Sequence, residues 1–180
     1  MRAITLLFFL FLFQIPVGHA QVEETIEPEY IRTIQFKGTS AQSRLPIIEL
    51  GQKLQLSFDD IIGNEADYFY TIAHFNFDWT PSDLSKGEYL DGFDDVRIET
   101  YENSFNTLQL YSNYKLSIPN RETRAIKKSG NYLLRIFNDD DEIVFSRKFM
   151  VLERVLSVEV EIKRSRIIKN IDQQQVVQFK

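Results

Sequence analysis

Between residues 74 and 95 the chain gathers the side chains best suited to chemistry: His74, Asp78, Asp83, Glu88, Asp91, Asp94 and Asp95, with Trp79 and Tyr89 among them. Two carboxyl groups a set distance apart beside a sugar-stacking ring are what a glycosidase uses. The same acids and rings would equally serve a carbohydrate-binding module. Spacing along a chain does not fix the separation of two carboxylates, and acids are ordinary in loops, so no catalytic pair is assigned. His74 would have to serve any Ser-His-Asp triad by itself, because His19 lies in the apolar N-terminal stretch. It falls in the Tyr70, Ile72, Asn76 register of a strand and reads as a packed imidazole hydrogen-bonded by a neighbour. A nucleophile elbow, a phosphate loop and a dinucleotide glycine run are all missing from the sequence. With no cysteine there are no disulfides, thiolate metal sites or thiol nucleophiles. The expectation is a protein that binds another protein, with no catalytic, cofactor or metal residues and no small-molecule substrate.

The elements that would position these residues are strands. Apolar and polar residues alternate in Thr33 to Lys37 and again in Lys53 to Asp59, the period-two pattern of a strand buried on one face. Gly38 to Arg44 reads as a loop, and Pro46 to Gly51 as a short extended piece ending in a turn. Tyr68 to Trp79 carries apolar residues in both registers, which suits a central strand covered on both sides. Thr80-Pro81-Ser82-Asp83-Leu84 has the cap, first-turn proline and following acid of a single helical turn. Lys86 to Asp95 then reads as a loop rich in Gly and Asp. Further strands are predicted at Ile98 to Asn103, Tyr114 to Ile118, Asn131 to Asn138 and Glu142 to Leu152. Asn138 to Asp141 forms the turn between the last two. Its three aspartates lack the spacing, glycine and terminal glutamate of a calcium loop, so turn chemistry is the reading.

Short strands, turn residues between them and no long amphipathic helix describe an all-β fold, an immunoglobulin-like or fibronectin-like β-sandwich. Leu108 to Tyr114 leads into a strand in the manner of a tyrosine corner. Trp79 ends a middle strand instead of sitting deep within it, a departure from antibody domains. After Glu153 a clean alternation restarts at Leu156, Val158, Val160 and Ile162, and the chain ends in Val176 to Lys180. Residues 154–180 are therefore expected to begin a second β-rich domain, apparently truncated, with exposed strand edges.

Residues 1–20 read as a signal peptide: Arg2 supplies the charge, Leu6 to Phe13 the hydrocarbon, and Gly18-His19-Ala20 the small residues before the cut. A membrane helix needs about 20 apolar residues, and Gln14, Pro16 and Gly18 interrupt this run. The processed chain would begin at Gln21, with a polar, acidic leader over residues 21–29 and no cysteine to carry a lipid anchor. It is an exported protein. The chain's net charge is -5, which argues against a nucleic-acid partner, since that calls for a basic stripe. Acids crowd Asp59 to Glu102, whereas bases outnumber acids from Arg121 to Lys169; both read as ordinary solvated surfaces or as one acidic and one mildly basic face.

Several segments together carry a family pattern: YIRTIQF at 30–36, PIIELGQKLQLSFDDI at 46–61, YTIAHFNFDWTPSDLSKGEYLDGFD at 70–94, SFNTLQLYSNYKLSIPN at 104–120, SGNYLLRIF at 129–137 and SRKFMVLE at 146–153. Residues 30–153 thereby resemble the N-terminal domain of the type IX secretion system plug protein. The specific part is D-W-T-P-S-D-L followed by E-Y-L-D-G-F. The resemblance implies a periplasmic protein without enzymatic activity that occludes the periplasmic opening of the outer-membrane translocon barrel, with which it associates. It also implies more β-rich sequence than this chain holds. Candidate partner contacts are Trp79, Asp83, Tyr89, Asp91 and Phe93, because large aromatics on loops act as interface anchors. The alternative for Trp79, Tyr89 and Phe93 is that they fold back over the end of the sandwich.

Overall fold

The computed structural model describes residues 21–39, 45–170 and 172–180. The signal peptide assigned to residues 1–20, and the greater part of the loop assigned to 38–44, lie outside them.

Strands form where branched and aromatic residues alternate with polar ones, and two sheets bury the apolar faces against each other. One sheet takes β1 (Ile31–Gly38), β3 (Leu54–Asp60), β8 (Ser112–Ile118) and β7 (Thr100–Asn103), in the order β1-β3-β8-β7. The other takes β2 (Ile47–Glu49), β11 (Ile143–Leu152), β10 (Gly130–Phe137), β4 (Phe69–Phe75) and β6 (Val96–Arg97), in the order β2-β11-β10-β4-β6. The alternation read at Lys53 to Asp59 is realised: Leu54, Leu56 and Phe58 are buried. Rings bridge the layers, with Phe58 of β3 edge-on to Phe145 of β11 at 5.2 Å and Phe36 of β1 edge-on to Phe149 of β11 at 5.8 Å. Such offset and edge contacts suit the ring quadrupoles and add to the burial of the rings. The fold is an all-β sandwich. Pairing is antiparallel except between β2 and β11, which run parallel from Met150↔Ile47 to Leu152↔Glu49.

Several local expectations change. The strand read at Ile98 to Asn103 is shortened to β7, which starts at Thr100; β6 just before it lies in the other sheet, with Ile98 buried between the two. A chain that switches sheets at a corner leaves one apolar residue inside, and hydrophobic periodicity cannot distinguish that from a continuous strand. The tyrosine corner is not at Tyr114, whose hydroxyl donates to the carbonyl of Ala66 at 2.7 Å, far back in the sequence. Tyr132, near the start of β10, makes the corner type of bond instead, donating to the carbonyl of Lys128 at 2.7 Å. The turn after β10 is made by Asn138, whose side-chain oxygen accepts from the N–H groups of Asp140 and Glu142.

The leader is a docked part of the domain. Thr25 donates its N–H to the hydroxyl of Ser146 at 2.7 Å, and the N–H of Ser146 returns to the carbonyl of Thr25 at 3.1 Å. The carboxylate of Glu24 accepts from the N–H of Lys148, and Glu27 pairs with Arg147, both at 2.6 Å. The leader thus covers the part of β11 that β2 does not reach, which shields an otherwise open strand edge.

Beyond the sandwich, β12 (Val160–Arg164) and β13 (Gln175–Phe179) form a two-stranded antiparallel sheet. The strand begins at Val160; Leu156 and Val158 precede it outside any strand and are exposed.

Candidate functional site

The segment between β4 and β6 carries the candidate contacts, and its course is set by short-range polar bonds. The helical turn expected at Thr80 to Leu84 does not form. Asp78 accepts from both the N–H and the hydroxyl of Thr80, at 3.1 and 2.7 Å, and this closes a turn that leaves Trp79 at a φ of 65°. A side chain bonded to the backbone two residues on competes directly with helix formation. Pro81 then bridges back to Phe75, and the hydroxyl of Ser82 lies 2.8 Å from Nδ1 of His74.

The helix forms one step later. Within Lys86 to Asp95, read as a loop from the sequence, α1 (Lys86–Tyr89) and β5 (Leu90–Gly92) appear. Glu88 reaches back to accept from the N–H and hydroxyl of Ser85, each at 2.7 Å, and these bonds hold its carboxyl below the ordinary carboxylate range. β5 pairs with β9 (Thr123–Ile126), a strand not read from the sequence, with buried Leu90 opposite Ile126. Gly92 has a φ of 98°, and a Cβ there would stand 2.0 Å from the carbonyl oxygen of Glu122. Glycine is required at such a close approach.

Tyr89 is a correction to the candidate surface. It is 6% exposed, packs against His74 and Tyr132, and donates its hydroxyl to the carbonyl of Ile72 at 3.2 Å. Burial raises its phenol pKa. A side chain inside the core cannot be a partner's anchor. Trp79 is half-buried: its ring lies 6.3 Å from that of Phe75, with the ammonium of Lys148 4.5 Å above it, a cation–π contact. Asp91 pairs with Arg124 at 2.8 Å. Asp83 is exposed. Phe93 is 70% exposed, and its N–H is held by the carbonyl of Glu122. Phe77 was assigned to the strand, yet β4 ends at Phe75 and Phe77 is 94% exposed. The sequence signal that could have found it is Asn76-Phe77-Asp78, a ring flanked by two turn formers.

The acids are accounted for largely by structure. Asp78 and Glu88 hold turns, and Asp91 holds an arginine. Asp94, with a side chain 2% exposed, accepts from the N–H of Ile72 at 2.7 Å and from Nζ of Lys86 at 2.6 Å. That bond ties the whole segment to the edge of β4, where β6 pairs only with Phe69 and Tyr70. His74 sits as expected: Nδ1 faces Ser82, Nε2 lies 3.4 Å from the carbonyl of Ser129, and the ring stands edge-on to Tyr132 at 4.9 Å. Among the described residues no group of three or more His, Asp or Glu is placed to hold a metal ion. The arrangement is therefore a braced segment that leaves Phe77, Phe93 and Asp83 exposed.

The comparisons with known proteins agree with this architecture. A crystal structure of a hypothetical protein from Parabacteroides merdae superposes with a TM-score of 0.71 and 32% identity, over 89% of this chain and 41% of that protein. The chain thus spans less than half the length of that structural relative. The alkylpurine DNA glycosylase AlkC of Pseudomonas fluorescens, solved bound to DNA containing an abasic site analog, gives a TM-score of 0.38 at 15% identity, covering 67% of this chain and 29% of that one. The soluble domain of PmoD from a Methylocystis species gives 0.36 at 11%, covering 68% and 97%. Neither superposition is close enough to carry an argument. No curated protein matches the chain. The family model of the type 9 secretion system plug protein first domain matches residues 31–153, which encompass the sandwich from β1 to β11, and the chain belongs to that family.

Proposed function

We propose that this chain is the docking part of a non-enzymatic plug that binds the periplasmic opening of the outer-membrane type IX translocon barrel and occludes it. The observation that carries the reading is the family match over residues 31–153. The fold supports it physically. A preformed sandwich presents a braced loop, so little conformational entropy is lost when a partner engages it. Phe77 and Phe93 are exposed rings, the residue type enriched at interfaces. In this reading residues 1–20 direct export and are cleaved, and the protein works in the periplasm, held at the outer membrane through its partner.

The test is affinity capture. Tagged residues 21–180 are incubated with detergent-solubilised envelopes of a bacterium that has type IX secretion, and retained proteins are identified by mass spectrometry. Recovery of the large barrel supports docking by this region. Phe77→Ala with Phe93→Ala should weaken capture by about tenfold or more, since losing anchors costs on the order of 1–2 kcal/mol each. A folded bait that retains no barrel, while a full-length relative retains it, would place docking elsewhere in the plug.

A further inference from the structure

The hairpin of β12 and β13 stands outside both sheets of the sandwich, joined to it by residues 153–159, which form no strand. Glu159 and Lys180 exchange N–H and carbonyl bonds at 3.1 and 2.9 Å, and the N–H of Ser165 donates to the carbonyl of Gln174 at 3.2 Å, which fixes the phase of the ladder. Odd-numbered residues of β12 direct their N–H and C=O groups at β13, because these groups alternate sides along an antiparallel strand. Those of Val160, Ile162 and Arg164 therefore point the other way, along an edge that no strand of the described residues covers. All three side chains are exposed. A two-stranded hairpin is marginal by itself, and an open edge is a template for another strand.

The charges say which strand. On the face shared with Val176 and Gln178, the Glu161 carboxylate lies 2.8 Å from Nζ of its own Lys163 and 3.6 Å from Nζ of Lys180. We infer that the free edge of β12 is a docking surface for β12 of a second copy of this chain, antiparallel and centred on Ile162. In that register Ile162 meets its counterpart and Val160 lies opposite Arg164, as hydrogen-bonded pairs made by the outward groups. Glu161 falls opposite Lys163 of the second copy, and Lys163 opposite its Glu161, so four charges of alternating sign form a square across the two-fold axis. Opposite charges directly across a ladder stabilise it, and like charges oppose it. A slip of two residues either way sets Glu161 against Glu161 or Lys163 against Lys163. A slip of one brings inward-pointing groups to the joint and loses the bonds. Parallel pairing in register puts like charges side by side. β13 has no charge from Gln175 to Phe179, so its edge specifies no register. The joined sheet has four strands, and Val160, Ile162, Val177 and Phe179 of each copy line one continuous apolar face.

The experiment measures the mass of the full chain, produced in an exporting bacterium, by light scattering over about a hundredfold range of concentration. The mass is expected to rise from one copy to two. Lys163→Glu alone and Glu161→Lys alone should each weaken the dimer by about tenfold or more, since both cross pairs turn repulsive. An equimolar mixture of the two variants restores opposite charges at both pairs and should recover the parent's dimerisation, a result that misfolding could not give. The register is read separately, since the chain has no cysteine. Glu161→Cys and Lys163→Cys should form a disulfide when mixed and oxidised, because Cα atoms at such a non-hydrogen-bonded pair stand about 4.5 Å apart, and much less when either is oxidised alone. A parent that keeps the mass of one copy throughout, single reversals that dimerise like the parent, or a mixture that stays monomeric would each overturn the inference.

Discussion

Asp94 is the clearest place to test how the candidate loop is held. Its carboxylate is out of solvent and accepts two hydrogen bonds, from the backbone of Ile72 and from Lys86. Asp94→Ala leaves the amide of Ile72, which sits on the core strand β4, without its partner. A buried amide stripped of its acceptor costs about 1–3 kcal/mol. The ion pair adds less, because the Lys86 side chain is 53% exposed and solvent screens it; an exposed pair contributes about 0.5–1 kcal/mol. The expected loss is therefore about 3 kcal/mol, or roughly 10 °C in Tm for a domain of this size. Asp94→Asn keeps an oxygen that can accept from Ile72 and should lose only about 1 kcal/mol. Lys86→Met should cost no more than about 1 kcal/mol. The assay is urea and thermal unfolding of residues 21–180 carrying each change, with a double-mutant cycle between Asp94 and Lys86. If Asp94→Ala falls within about 0.5 kcal/mol of the parent, the backbone bond is not what holds the loop. If the cycle gives a coupling above about 2 kcal/mol, the salt bridge dominates and the ordering argued here is wrong.

Other substitutions separate core from surface in the same segment. Tyr89→Ala should cost about 3–5 kcal/mol through the cavity it leaves, whereas Phe93→Ala should stay within about 0.5 kcal/mol of the parent, both read from urea midpoints. Equal effects would mean that the two rings are not divided between core and solvent. Gly92→Ala should lose at least about 2 kcal/mol, because the new Cβ meets the Glu122 carbonyl at an unfavourable φ, and a neutral result would remove that close approach. In alkali, burial and then the nearby charge of Asp60 push the Tyr114 phenol up to about 12. Tyr68 and Tyr132 are raised further by burial. A folded pKa above the unfolded value of about 10 means that this stability is whole below pH ~10 and is lost as pH rises through the folded value. Phenolate absorbance and unfolding should therefore appear together above pH ~10; buried tyrosines ionising at an ordinary pKa while the chain stays folded would contradict the packing.

How much was legible in the sequence differs from element to element, for a physical reason. Alternation reports one-sided burial directly, so β3 and its buried Leu54, Leu56 and Phe58 follow from residue type alone. Asn and Asp bond their own neighbours, so the turn after β10 was also readable. The family pattern in residues 30–153 was readable because aromatic and turn positions at fixed spacing are specific, and the matched span of 31–153 agrees with it. The acids and rings of residues 74–95 could not be sorted in the same way. Asp91 and Asp94 look alike in sequence, yet one pairs with Arg124 at the surface and the other is sealed against Ile72 and Lys86. Tyr89 and Phe93 are likewise two rings on one segment, one buried and one exposed. β9 was missed because Thr123–Ile126 is too short to show a period, and its strand character comes from pairing with β5. The acidic leader reads as a solvated tail until β11 offers it Arg147 and the N–H groups of Ser146 and Lys148. The sequence by itself determined the strands with one-sided alternation, the turn after β10 and the family resemblance, since these depend on each residue and its near neighbours. Only the tertiary structure decided which acids brace the loop and which rings remain exposed, because that depends on donors and surfaces brought together from distant parts of the chain.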